Sequence, residues 1–169
     1  MSRARPLPVP DPPGPGRESV WDYPRPARAE PTDRAVHVVF AGRIVAETRQ
    51  AWRVLETSHP PGYYIPPGDV DPAALRPAAR RSRCEWKGLA AYFDVTAAER
   101  IAAHAAWAYP DPTPAFRPIA GYVAFYPALM DACFVDGERV VPQDGPFYGG
   151  WITRDLVGPF KGGPGTERW

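Results

Sequence analysis

SRCEWKGLAAYFDV (82–95) runs straight into TAAERIAAHAAWAY (96–109), and the reading of this stretch decides the fold. The first block has the period of a strand. Cys84, Trp86, Ala90 and Tyr92 share one face, and Leu89, Ala91, Phe93 and Val95 the other, with a break expected at Gly88. On that register Lys87 points away from Cys84, and Glu85 and Asp94 point to opposite sides. The second block is ambiguous. Alanine dominates it, which favours a helix, yet Ile101, Ala103, Ala105 and Trp107 alternate as a strand requires.

The surroundings are those of a β protein. VHVVF (36–40) alternates and is β-branched, and RIVAETRQAWRVLE (43–56) continues it with a turn at 49–51. DACFVDGERVV (131–141) places two apolar arms around Asp136-Gly137, the signal of a tight hairpin. GYVAFY (121–126) sets Val123 and Phe125 against Tyr122, Ala124 and Tyr126. Tyr63-Tyr64-Ile65, between proline pairs, suits a short edge strand. Residues 71–81 read as a loop with one helical turn, and Thr153 as the cap of a short helix.

The chain reads as a tail, 1–17, rich in Pro, Gly and Arg and expected to be disordered, followed by one β domain, 18–169. At its start, SVWDYPRPARAEP (19–31) is an extended Pro-rich N-terminal arm in which Trp21 and Tyr23 are the anchors. No apolar stretch reads as a signal peptide or a membrane span, so cytoplasmic location is the expectation. Twenty Lys and Arg against nineteen Asp and Glu give a net charge of +1, which argues against nucleic acid as a partner. Two cysteines and three scattered histidines do not make a zinc site. No metal and no cofactor is expected.

Four blocks occur in a telling order: SVWDYPRP (19–26), HPPGYYIPPGDV (59–70), SRCEWKGLAAYFDV (82–95) and AAWAYPDP (105–112). IAGYVAFY (119–126) and FYGGWIT (147–153) follow them. Together they resemble the domain-of-unknown-function 427 family. The resemblance implies a mainly β fold, with two antiparallel sheets packed as a tent-like or barrel-like single domain. Many tent-fold proteins hold a structural zinc through cysteine pairs, which this sequence lacks. The resemblance also implies that 96–109 is a hairpin turning near Thr96 to Arg100, with Trp107 on the returning strand. The family has been labelled nucleotidyltransferase-like, but no residue pattern here would perform that chemistry.

The chemistry in the sequence is aromatic. Tyr64, Trp86, Tyr92, Trp107 and Tyr109 can wall a pocket for a flat or weakly cationic ligand, with His59 and Lys87 as polar groups. Read singly, each ring is an ordinary half-buried sheet residue. Cys84 would be a nucleophile only beside a cation or imidazole, and a buried, inert thiol is the plainer reading; the same holds for Cys133. His59, before Pro60-Pro61, is either a rigid rim group or a loop histidine satisfied by backbone. GPFKGGPG (158–165) lacks the Ser or Thr that a phosphate loop needs after its lysine. Arg80, Arg81 and Arg83 read as a solvated basic cluster. The leading expectation is a domain that binds a small molecule or peptide. An enzyme using Cys84 or His59 is the alternative, and a single-strand nucleic-acid or protein interaction module the third.

Overall fold

A computed structural model describes residues 6–169. Its first half supplies β1 (Glu18–Ser19), β2 (Arg28–Pro31), β3 (Val36–Phe40), β4 (Arg43–Thr48), β5 (Trp52–Leu55) and β6 (Gly62–Tyr64). Three long strands follow: β7 (Leu75–Cys84), β8 (Gly88–Ala97) and β9 (Arg100–Ala108). The rest adds β10 (Val123–Phe125), β11 (Ala132–Val135), β12 (Glu138–Arg139), β13 (Val141–Pro142), β14 (Trp151–Ile152) and β15 (Leu156–Val157). They form two four-stranded sheets, β10-β9-β8-β7 and β12-β11-β3-β4, and a three-stranded sheet, β2-β5-β6. β13 pairs with β14, and β1 runs parallel to β15. The architecture is mainly β and single-domain, as expected. Several small antiparallel sheets replace the expected two, and none closes into a barrel.

The alanine-rich block is a strand. β8 and β9 form a hairpin whose two turn residues, Ala98 and Glu99, both have positive φ, as a primed hairpin turn requires. Packing overrides helix propensity here. Ala105 and Ala106 are fully buried beside Val95, Val123 and Phe125, among bulkier core side chains. The pairing is not regular. It steps from Phe93 opposite Ala106 to Val95 opposite Ala102, and His104 occupies the bulge with φ of 53°. The Asp94 carboxylate accepts the freed His104 N–H at 2.9 Å. Trp107, paired with Tyr92, lies on the face away from Val95.

Residues 82–95 are not one strand but the facing parts of a second hairpin. Cys84 pairs with Gly88, and Glu85–Lys87 form the turn. Nor are residues 71–81 a loop. Asp71 caps a single turn at Pro72–Ala74, and β7 begins at once. β7 is an edge strand with outward arginines, and Pro77 sits where its pairing with β8 is interrupted. Arg80, Arg81 and Arg83 are therefore on a strand, not in a solvated loop. Asp136 and Gly137 make the expected tight hairpin, both with positive φ. Thr153 starts no helix; its hydroxyl bonds the Asp155 carboxylate in a turn between β14 and β15.

Alternation divides the interior in two. Val95, Val123 and Phe125 face β3 and Trp151 in the main core. Ala90, Tyr92 and Ala124 face a second cluster with Tyr64, Tyr109 and Tyr126. Tyr63 and Tyr64 go to opposite sides, Tyr63 stacking near Trp151 at 5.0 Å. Ile65 and Val123 exchange two backbone hydrogen bonds, which sets β6 against the edge of β10. In the N-terminal arm, Trp21 Nε1 donates to Pro159 O at 2.8 Å and Tyr23 is buried with Val20, Leu55 and Leu156. Of the expected tail, residues 1–5 lie outside the described residues; Asp11 N–H bonds Gly158 O and Arg17 reaches the carbonyls of Arg154 and Leu156. No helix among the described residues is long and apolar enough to cross a membrane.

Candidate functional site

The second cluster does not close into a solid core. It surrounds a cavity of about 280 Å³. The eight residues singled out from the sequence, His59, Tyr64, Cys84, Trp86, Lys87, Tyr92, Trp107 and Tyr109, all line it. They come from five places along the chain, so long-range packing brings them together.

Each wall has a local cause. Tyr92 and Trp107 are direct partners across β8 and β9. Trp107 Nε1 donates to the Tyr64 hydroxyl at 3.3 Å, and its ring lies 4.5 Å from that of Tyr126. Tyr109, just past β9, approaches Tyr64 with ring centroids 6.4 Å apart. The turn carrying Trp86 and Lys87 is pinned by Thr113. Its hydroxyl donates to Trp86 O at 2.6 Å and its N–H to Lys87 O at 3.0 Å.

That turn corrects the sequence reading of Lys87. Alternation holds only within a strand, and Glu85–Lys87 is a turn, so Lys87 joins Cys84 in lining the cavity. Its ammonium also lies 5.5 Å from the centre of the Tyr109 ring. Burial disfavours the charged lysine. The nearby Glu56 carboxylate and the other acidic groups of the site outweigh that effect and hold Lys87 above the ordinary lysine range. Burial likewise raises the phenols of Tyr64, Tyr109 and Tyr126, which stay neutral at neutral pH.

His59 stands on the rim in a defined hydrogen-bond chain. Buried Gln143 accepts from Gly150 N–H through Oε1 at 3.1 Å, which turns its amide nitrogen toward His59 Nδ1 at 3.3 Å. Nδ1 must then accept, so the proton sits on Nε2, which faces Glu56 at 3.3 Å. Burial raises the Glu56 pKa, but the hydrogen bond from His59 and the charges of Lys87 and Arg25 hold it below the usual carboxylate range. The His59 ring also meets the edge of Tyr148 at 5.2 Å.

Glu56, Gln143 and Tyr148 are cavity residues that sequence reasoning missed. The only signal for two of them was the glycine pair in FYGGWIT. A Cβ at Gly150 would sit 2.6 Å from Pro60 Cγ, and one at Gly149 would run into Trp107. The glycines let this segment lie flat on the wall. Lys161, from the glycine-rich run, also lines the cavity, but its ammonium donates to Glu167 O and Trp169 O. Among the described residues no three His, Cys, Asp or Glu side chains converge as metal ligands would.

The arrangement offers aromatic faces, neutral phenol donors, one ammonium and a thiol around an open space. No curated protein matches the chain. A family model described as "Domain of unknown function (DUF427)" matches residues 28–136, more than half of the chain, and the chain therefore belongs to the DUF427 family.

Proposed function

We propose that this domain binds a small ligand in the aromatic cavity. One observation carries the reading. Tyr and Trp side chains from distant segments line a common open volume of about 280 Å³ instead of filling it. Sites for small molecules are concave and combine aromatic walls with placed polar groups, as this cavity does. The test is a ligand-observed NMR screen of small aromatic fragments against the full chain. Trp86, half-exposed on its turn, is the residue to remove first. Trp86→Ala should weaken the hits and leave the melting temperature nearly unchanged. Trp107→Ala should abolish them at some cost in stability, because its ring also supports Tyr64 and Tyr126. Hits unaffected by both substitutions would place binding elsewhere.

A second reading is favoured by Cys84 and Lys87 lining the same cavity. A cation beside a thiol that lines a cavity is the setting in which cysteine becomes nucleophilic. An enzyme acting through Cys84 would use the same cavity, and thiol labelling, argued below, tests it.

A further inference from the structure

We infer that the cavity selects an organic carboxylate, with a small flat body against the Trp86 and Trp107 indoles and its carboxylate against Lys87 and the Tyr64 and Tyr109 hydroxyls. This rests on the ligand-binding reading above and adds the sign of the ligand's charge.

The first argument is charge left without a partner. Lys87 forms no ion pair among the described residues. The carboxylate it senses, Glu56, is held by His59 and Arg25. Lys161 is occupied by backbone carbonyls. A half-buried ammonium with no carboxylate paired to it is open to an anion from solution.

The second argument is a surplus of donors. The Tyr64 oxygen accepts from Trp107, so its own O–H is free to donate. The Tyr109 hydroxyl has no hydrogen-bond partner among the described residues and is neutral. Two phenols and an ammonium together call for a group that only accepts, which an ionised carboxylate is.

The third argument excludes the cationic ligand that the rings alone suggested. The Tyr109 face is already covered by Lys87, and the Tyr92 face by the Arg80 guanidinium at 4.7 Å. Among the lining residues the cations Arg83, Lys87 and Lys161 outnumber the carboxylates Glu56 and Glu85. A cation would meet repulsion where an anion is drawn in.

The experiment is calorimetric titration of the full chain with benzoate, benzamide, benzylamine and inorganic phosphate. Benzoate should bind best, about tenfold tighter than benzamide, as one charge-assisted hydrogen bond provides. Benzylamine and phosphate should bind weakly or not at all. Lys87→Met should bring benzoate down to the level of benzamide, and Lys87→Arg should keep the preference. Benzamide or benzylamine binding as well as benzoate overturns the inference, as does phosphate matching benzoate or a preference that survives Lys87→Met. If only the neutral or cationic probe binds, the ligand-binding reading stands and this inference fails. If none of the four binds, both fail.

Discussion

Trp107 and Gly149 touch so closely that glycine is the only residue that fits: a Cβ at position 149 would lie 2.9 Å from Trp107 Cζ3 and closer still to Cη2. The same Cβ would be 3.2 Å from Tyr126 Cδ1. The indole is thus held between β8's Tyr92, the Tyr64 hydroxyl and the backbone of the FYGG segment. Rigid aromatic walls of this kind keep a cavity open.

Gly149→Ala should therefore push the indole aside. Overpacking of this sort costs about 1–3 kcal/mol. The expected result is a lower melting temperature, a changed near-ultraviolet dichroism spectrum and weaker fragment binding. A variant with an unaltered spectrum and melt would contradict the contact.

The two thiols should separate cleanly. Cys133 is buried in the main core, and burial pushes its pKa far up. Cys84 is half-buried and faces the cavity beside Lys87. Native protein should react with a small alkylating reagent at Cys84 alone, and Cys133 only after unfolding. Lys87→Met should slow the Cys84 reaction if the ammonium assists the thiolate. A native Cys84 that resists labelling would remove the enzyme reading and return the residue to a purely structural part.

Much of this was legible in the residues, and the failures have a common cause. The Asp136-Gly137 hairpin and the Val123/Phe125 alternation are local signals, and both hold. β7 was missed because an exposed edge strand needs no apolar period, and LRPAARRSRC has none. Lys87 was placed on the wrong side because alternation was carried through a turn. Rings such as Tyr64 and Trp107 advertise themselves by size and by polar tips. Gln143 and Glu56 do not, since their roles come from contacts with residues far away or from a fold-dependent turn.

Acid should destabilise the domain through named carboxylates. Asp155 accepts hydrogen bonds from Thr153 and, at 2.6 Å, from Arg34. Burial raises its pKa, but these bonds and the Arg34 charge hold it below its ordinary 3.8. A depressed folded-state pKa contributes stability that is present above the unfolded value and is lost as pH falls through the folded one. Urea midpoints should fall as pH drops below about 4, with Glu56 acting in the same direction. Asp155→Asn should lower the midpoint at neutral pH and flatten the acid limb. A limb of unchanged slope would mean that other groups govern it.

The N-terminal arm gives the last test. Trp21 is tied to Pro159 O and sits 5.7 Å from the Trp169 ring, and Tyr23 is buried with Leu55 and Leu156. Thr57 Oγ1 also donates to Tyr23 O at 2.5 Å. Full burial of such a ring contributes roughly 1.5–3 kcal/mol, as for Tyr23, and the partly buried Trp21 contributes less. The described residues before Glu18 are bound by a few contacts, chiefly Asp11 N–H to Gly158 O and Arg17 to the carbonyls of Arg154 and Leu156. Removing residues 1–17 should therefore lower the melting temperature only slightly, and removing 1–26 should lower it markedly. The larger truncation also removes β1, the partner of β15, so the double variant Trp21→Ala with Tyr23→Ala in the full chain separates ring burial from strand pairing. If that variant melts with the wild type, the rings do not anchor the arm, and any loss on truncation belongs to the strand.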